Sequence, residues 1–292
     1  MSPDPRVVTP ALLRAWPLPE PGADKEASGR LLVLGGSTRS PGAVRLAGEA
    51  ALRTGAGKVT LATVETVVAG LAPLVPEAAL VPLATDVGGA IDADQATAIV
   101  EQTAGADVLL AGPGLVDADH AVTLLERVVP RTDATLVLDA LGSAYLTACP
   151  DALRHLDGRA VLTANPRELA RTAHTTVEHA TREPLEVAAG VARRSGVVVL
   201  CGGTAKHLVT PDGDAWVVEG GGPGLAASGS GDVQAGILAG LLARGAEPAQ
   251  AAVWAGYLHA RCGERLAASV GPVGYLAREL PAQVPAVLSE VA

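Results

Sequence analysis

The chain of 292 residues contains no phenylalanine, and its other aromatic residues are three tryptophans and three tyrosines. Since 49% of the residues are hydrophobic, the core must be built mainly from alanine, valine and leucine. Few rings are available for stacking bases, and the net charge of −9 opposes binding to nucleic acid or to an anionic membrane. A nucleotide site is not excluded, because helix N-termini and loop amides bind phosphate without net positive charge.

Cysteine is also scarce, with only Cys149, Cys201 and Cys262 far apart in the chain. An odd number without Cys-x-x-Cys spacing fits a reducing compartment better than a disulfide framework. The N-terminus has no basic segment followed by an apolar run, and no apolar stretch reaches the ~18 residues of a membrane span. We therefore expect a cytoplasmic protein with no membrane partner.

Short apolar runs alternate with segments of helical spacing from residue 30 onward. Such runs, bounded by glycine, are typical of buried parallel strands. Strands are predicted at 31–34, 58–62, 107–111, 135–139, 160–163 and 197–200, and Asp212-Gly213 predicts a hairpin between 206–210 and 215–218. Helices are predicted at 41–53, 121–129, 176–194, 225–244 and 248–268, before a helical C-terminal segment.

The alternation predicts an α/β fold, a doubly wound and mostly parallel sheet with helices on both faces. Residues 1–29 are rich in proline and polar side chains, which predicts an N-terminal arm. Residues 30–292 are predicted to form a single domain. In such sheets ligands bind at the carboxyl ends of the strands, so the loops there are the candidate site.

The most informative of these loops is Gly229-Ser230-Gly231-Asp232, which runs directly into an apolar helical pattern. Free backbone N–H groups at a helix start can bind an anion, and glycine lets the backbone approach a phosphate closely. An adjacent carboxylate can orient or deprotonate a hydroxyl. The turn therefore indicates phosphoryl transfer, although a simple capped helix start would carry the same residues.

Other familiar motifs fail on spacing. Gly55-Ala56-Gly57-Lys58 lacks the upstream glycine and the following Ser or Thr of a phosphate-binding P-loop, and Gly35-Gly36-Ser37 does not continue as Gly-x-Gly-x-x-Gly. His259 and Cys262 are three residues apart on a predicted helix but have no second pair, so no metal ligands are predicted.

Two further loops carry polar residues with both structural and functional interpretations. Asp139 ends a strand, where its carboxylate is either functional or caps the following helix. Asn165, Pro166 and Glu168 match the N-cap, first and third positions of a helix, which explains them without a site role.

In order along the chain, several loops resemble the ADP/ATP-dependent NAD(P)H-hydrate dehydratase family of the ribokinase-like superfamily. The matching segments are Gly35-Gly36-Ser37, Pro41-Gly42-Ala43, 50–57, Gly112-Pro113-Gly114-Leu115, Leu138-Asp139-Ala140, Gly224-Leu225-Ala226, 229–233 and 236–240. Each motif alone is weak, and their order and spacing carry the assignment. Family members often have an N-terminal epimerase domain, and this chain resembles the stand-alone form.

The resemblance implies repair of hydrated NADH or NADPH: the ring hydroxyl is phosphorylated by ADP or ATP, and phosphate then leaves. It implies Mg²⁺ as cofactor, NAD(P)H hydrate and an adenine nucleotide as ligands, and a homo-oligomer, with tetramers known among relatives. Asp232 would be the catalytic carboxylate. The hydrate would contact Ala43, Gly114, Asn165 and Asp232, and the nucleotide would contact Cys201, Gly202, Gly203, Thr204, Ala205, Gly229, Ser230 and Gly231.

The chain departs from the family pattern in three loops. Asn165-Pro166-Arg167-Glu168 stands where His-Pro-Gly-Glu is usual, Cys201-Gly202 replaces Lys-Gly, and Asp139-Ala140-Leu141 lacks a second aspartate. Asparagine can hydrogen-bond but cannot act as an acid or base. A lost cation near phosphate could be replaced by Lys206. Three interpretations follow: a divergent dehydratase, a ribokinase-like small-molecule kinase, or a non-catalytic paralogue that binds nucleotide.

Overall fold

The computed structural model describes residues 4–20 and 22–291. Ten strands form one sheet in the order β1-β10-β9-β8-β7-β6-β5-β2-β3-β4. They are β1 Arg6–Val7, β2 Arg30–Leu34, β3 Lys58–Val64, β4 Ala79–Leu83, β5 Val108–Ala111, β6 Thr135–Leu138, β7 Ala160–Ala164, β8 Val198–Cys201, β9 Lys206–Val209 and β10 Ala215–Val218. The strands from β4 to β8 along the sheet are parallel, and β9 is antiparallel to both neighbours.

The strand order reverses between β2 and β5. The chain passes from β2 outward to β3 and β4, then returns to form β5 on the other side of β2. A parallel sheet leaves an open crevice at the carboxyl ends of two strands whose connections diverge in this way. The glycine-rich loops after Leu34 and after Ala111 lie at this crevice.

Twelve α-helices surround the sheet in residues 4–20 and 22–291. They are α1 Pro10–Ala15, α2 Gly42–Thr54, α3 Glu65–Leu71, α4 Ala96–Thr103, α5 Ala118–Val128, α6 Ser143–Ala148, α7 Pro166–Thr172, α8 Val177–Arg182, α9 Pro184–Ser195, α10 Ser230–Ala243, α11 Pro248–Ser269 and α12 Val284–Val291. Buried side chains of α2, α10, α11 and α12 form one core, and those of α4 to α9 form another. Alternating side chains of the strands divide between these cores, which confirms the predicted fold class.

Helices α2 and α10 pack in backbone contact. A Cβ atom at Gly236 would lie 2.2 Å from the carbonyl oxygen of Ala47, and one at Gly240 would lie 2.7 Å from that of Ala51. Only glycine fits at these crossings. Since both pairs advance together along the chain, the helices run parallel in a fixed register.

The N-terminal segment covers one end of the sheet. β1 pairs in parallel with β10, Trp16 stacks on Trp216, and the indole N–H of Trp254 donates to the Trp16 carbonyl. The backbone edge of β10, which would otherwise be unpaired, is thereby covered. The division into an arm of residues 1–29 and a domain of residues 30–292 stays a prediction.

The prediction of one continuous helix at 176–194 is wrong. Two helices occupy this segment, because Pro184 follows Glu183, whose φ of −125° and ψ of 55° lie outside the helical region. The helix predicted from Leu225 begins instead at Ser230. Strands β1 and β4 and helices α3 and α4 were not predicted. Strand β1 is exposed, and β4 is only partly buried and contains Pro82.

Candidate functional site

A cavity of about 750 Å³ opens at the carboxyl ends of β6, β7 and β8. It combines four of the loops that the sequence singled out. Its walls come from Asp139, the Thr163–Glu168 loop, the turn after β8, the Gly222–Gly229 loop and the first turn of α10. Lys206 of β9 and His259 of α11 complete its lining.

The first turn of α10 presents free amide groups. Within residues 4–20 and 22–291, the N–H groups of Gly231 and Asp232 have no acceptor, while the N–H of Ser230 donates to the Ala227 carbonyl at 3.1 Å. Gly229 adopts a φ of 87°, a left-handed conformation that favours glycine. Gly231 has open space where a side chain would begin. The turn is therefore suited to bind an anion, with Ser230 contributing its hydroxyl rather than its amide.

Three carboxyl groups, those of Asp139, Glu168 and Asp232, line the cavity. Burial, and then the charge of Glu168, raises the pKa of Asp232 to about 6. Burial also raises the pKa of Glu168, whose Oε2 accepts the Asn165 N–H at 2.9 Å. A carboxylate with a pKa near neutrality can take a proton from a hydroxyl and release it again. The first-turn position of Asp232 places such a group beside the free amides.

Asp139 is the most buried of these carboxyls, only 6% exposed. Burial raises its pKa to about 7, and the charge of Asp232 adds to this, while the Thr163 hydroxyl opposes it by donating to Oδ1 at 2.6 Å. The next residue, Ala140, has a φ of 49°. A non-glycine residue in the left-handed region is strained, and such strain clusters at functional sites. The functional interpretation of Asp139 is thereby favoured over a helix cap, since its side chain makes no capping bond.

Asn165 and Glu168 form a capping box at the start of α7. The Oδ1 of Asn165 accepts the N–H groups of Arg167 and Glu168, and the Glu168 carboxylate returns to the Asn165 N–H. The predicted cap is confirmed. Since its acceptor is used, only the amide NH₂ of Asn165 is available to a ligand in the cavity it lines.

Ala43 and Gly114, predicted to contact the hydrate, meet at the crevice between β2 and β5. A Cβ atom on Gly114 would lie 3.0 Å from the Cβ of Ala43 and 3.0 Å from the Cα of Gly36. Neither residue lines the cavity described above. However, Ala47 of α2 lies against Gly236 of α10. One helical turn earlier on both helices, Ala43 is therefore level with Asp232.

Only part of the predicted nucleotide-binding segment at the end of β8 lines the cavity. Gly202, Gly203 and Thr204 line the cavity, whereas Cys201 and Ala205 do not. The Cys201 thiol lies in the core on the other face, where burial raises its pKa to about 12. The thiol is therefore an inert core group, and the role predicted for this position in nucleotide binding would fall to its backbone.

Two polar cavity residues, Gln234 and His259, were not predicted as site residues. Ser230 and Gln234 are four residues apart on α10 and so share a face, a signal that spacing could have given. His259 Nε2 lies 2.9 Å from Ser230 Oγ, and burial lowers its pKa well below the ordinary value. No sequence signal linked these two helices.

No group of three or more histidine, cysteine or acidic side chains able to hold a metal ion occurs in the described parts of the chain. Across the same residues, no helix is long and apolar enough to cross a bilayer.

The sheet order, the two helical layers and the position of the cavity define a ribokinase-like fold. A Bacillus subtilis structure titled ADP/ATP-dependent NAD(P)H-hydrate dehydratase, co-crystallised with ATP/Mg²⁺, superposes with a TM-score of 0.81 over 99% of both chains, at 26% identity.

The family model for NAD(P)H-hydrate dehydratase matches residues 31–286, so the chain belongs to that family. An ADP-dependent (S)-NAD(P)H-hydrate dehydratase of Xanthomonas campestris is 42% identical over 98% of this chain and 97% of its own length. A bifunctional NAD(P)H-hydrate repair enzyme of Moorella thermoacetica is 36% identical over 97% of this chain, which spans 54% of that relative. The resemblance seen in the sequence is thus confirmed.

Proposed function

We propose that this protein dehydrates (S)-NAD(P)H hydrate to NAD(P)H, using ADP or ATP as phosphoryl donor. The observation that carries the proposal is one cavity holding both a free-amide helix start and the carboxyl of Asp232. Membership of the dehydratase family and the 42% identity to the Xanthomonas campestris enzyme support the same activity. The family match also disfavours a sugar or vitamin kinase on the same fold.

The residues divide the chemistry between them. Asp232 accepts the proton of the hydrate hydroxyl, and the hydroxyl oxygen attacks the terminal phosphorus of the nucleotide. The bond between that phosphorus and the departing nucleotide then breaks. The amides of Gly231 and Asp232 stabilise the charge on the transferring group. The ring nitrogen then expels phosphate as the C–O bond breaks, and loss of a proton from the neighbouring carbon restores the double bond.

Asp139 is proposed as a second proton-holding group. Its pKa of about 7 lets it exchange protons near neutrality, and Thr163 fixes the direction of its carboxyl. The amide of Asn165, together with Ala43 and Gly114, is proposed to position the hydrate. Gly202, Gly203, Thr204 and the backbone at Cys201 and Ala205 are proposed to hold the nucleotide.

The donor set of the cavity fits Mg²⁺. This ion prefers oxygen ligands and is commonly held by one or two carboxylates together with substrate phosphates. The carboxylate of Glu168, together with the nucleotide phosphates, would hold it. When bound, Mg²⁺ neutralises phosphate charge.

The test is to incubate the protein with hydrated NADH or NADPH, Mg²⁺, and ADP or ATP, and to follow the absorbance of the reduced nicotinamide. Recovery of absorbance with release of inorganic phosphate is expected. No recovery with either nucleotide would refute the dehydratase activity. Accumulation of a phosphorylated small molecule without free phosphate would instead indicate the kinase, and nucleotide binding without turnover would indicate the non-catalytic paralogue.

A reducing compartment and self-association complete the proposal. All three cysteines are free, and Cys201 and Cys262 are buried, as suits a cytoplasmic protein. Exposed apolar side chains at Val270, Val273 and Leu276 suit a contact between copies, for which we propose a tetramer. Light scattering in solution tests the assembly.

A further inference from the structure

Lys206 is a buried cation that has no counter-ion in the part of the chain that the structure describes. Its side chain is only 5% exposed, and it forms none of the hydrogen bonds or ion pairs found among the described side chains. Its stem passes over Gly256 of α11, where a Cβ atom would lie 3.5 Å from the lysine Cδ. A buried ammonium without a partner costs free energy, so its retention in a cavity wall calls for an anion from outside.

The carboxyl groups of the cavity do not act as electrostatic partners of Lys206. Burial lowers the pKa of Lys206 to about 8, the buried Cys201 thiol opposes this, and no carboxyl group contributes. Lys206 in turn helps lower the pKa of its neighbour His259, which contacts Ser230. Asp139, Glu168 and Asp232 influence one another's pKa instead. The cavity therefore holds three carboxyl groups, a cation and a neutral imidazole, and the carboxyl of Asp232 belongs to the same first turn of α10 that presents the free amides.

We infer that Lys206 is the phosphate-binding cation of this site, holding a nucleotide phosphate between its Nζ and the first turn of α10. This inference rests on the proposed function for the identity of the ligand. An ammonium is a compact point charge well suited to a phosphate, and a bound anion offsets the cost of its burial. The site would therefore bind a di- or triphosphate between Lys206 and the first turn of α10, where Asp232 faces the hydroxyl of the hydrate.

The placement also explains how position 201 can be a cysteine. Cys201 and Lys206 lie on adjacent antiparallel strands, where Cys201 pairs with His207, but their side chains enter opposite cores. Lys206 shares its face of β9 with Leu208, so its amine reaches the cavity from the α11 side. The cation is thus supplied by β9 instead of β8.

The chain contains only three lysines, Lys25, Lys58 and Lys206, which makes a direct measurement practical. Protein labelled with ¹³C at lysine Cε gives one signal for each lysine. We expect the Lys206 signal to titrate near 8 in the free protein, and ADP or pyrophosphate to raise that pKa by about 1 or more. Cys201 influences the pKa of Lys206 from the other face of the sheet, and Lys206 influences that of His259, so His259→Gln and Cys201→Ala serve as controls.

Substitution gives the second measurement. Lys206→Met is expected to weaken ADP and pyrophosphate binding by about 10- to 100-fold, measured by calorimetry, while Tm stays at or above that of the wild type. Lys58→Met is the matched control: Lys58 pairs with Glu26 outside the cavity, so nucleotide affinity should not change. If Lys206→Met does not fold, Lys206→Gln replaces it.

The outcomes separate this inference from the proposed function. Wild-type affinity in Lys206→Met together with a Lys206 signal unmoved by ADP would overturn the inference and leave the dehydratase proposal intact. Absence of any ADP or pyrophosphate binding to the wild type would overturn it as well. Binding that depends on Lys206 in a protein without turnover would support it and count against the dehydratase.

Discussion

The Thr163 hydroxyl donates a 2.6 Å hydrogen bond to Oδ1 of Asp139, joining the ends of two adjacent strands beneath the cavity. The bond favours the charged carboxylate, while burial and the charge of Asp232 favour the protonated form. Burial has the larger effect on the pKa of Asp139, so the carboxyl can exchange its proton near neutral pH.

Asp139→Asn should change how stability depends on pH. The pKa of Asp139 is raised in the folded state, so the folded protein binds more protons than the unfolded chain between about pH 4 and 7. The native carboxyl therefore lowers stability as pH rises through that window, by up to roughly 1.4 kcal/mol per unit. Denaturant unfolding at several pH values should show the variant gaining stability relative to wild type from pH 4 to 7. Parallel curves would contradict the raised pKa.

Asp232→Asn should lower turnover about 10²- to 10⁴-fold, because the amide cannot accept the hydroxyl proton. ADP affinity should stay within about threefold, since the backbone amides of the turn are retained. Steady-state assays and calorimetry measure the two effects. Asp94→Asn is the control, an exposed aspartate paired with Arg127 away from the cavity. Wild-type turnover in Asp232→Asn would remove this carboxyl from the mechanism.

Gly236→Ala should destabilise the fold by about 1–3 kcal/mol, because the new methyl would lie 2.2 Å from a backbone oxygen of α2. Gly190→Ala in α9 is the matched control. It meets no atom within 4 Å, so the alanine should gain about 0.5–1 kcal/mol from helix propensity. Denaturant unfolding compares the two, and equal effects would show that the α2–α10 contact tolerates a side chain.

Asn165→Ala should cost about 1 kcal/mol of stability through loss of the capping box. Asn165→Ser keeps a capping oxygen but removes the amide NH₂ that faces the cavity. If the amide positions the hydrate, the serine variant should keep its Tm and show a higher KM. An unchanged KM would leave Asn165 with only its structural role.

The sequence predicted much of this architecture because its strands are short apolar runs ended by glycine or a polar residue. The hairpin of β9 and β10 was found from Asp212-Gly213, and the turn at 229–232 lies at the start of α10. Strand β4 was missed because an edge strand is half-exposed and tolerates proline. The hydrophobic pattern of a sequence reflects burial, so a strand that is only partly buried is hard to recognise from that pattern.

The site was harder to predict than the fold. Asp139, Asn165 and Asp232 were singled out from the loops after the strands, and all three line the cavity because a parallel sheet gathers its carboxyl ends. The contact between Ser230 and His259 joins two helices whose relative rotation no local pattern encodes. The burial of Lys206 likewise depends on Gly256 of α11, far along the chain.

The backbone contact between α2 and α10 has a consequence for ligand binding. Ala43, proposed to face the hydrate, and the Gly229–Asp232 turn, proposed to face the nucleotide, stand at the same ends of two helices locked by Gly236 and Gly240. A displacement of one helix start is therefore shared by the other. Occupancy of either subsite should alter affinity at its neighbour, so the two substrates are expected to bind cooperatively.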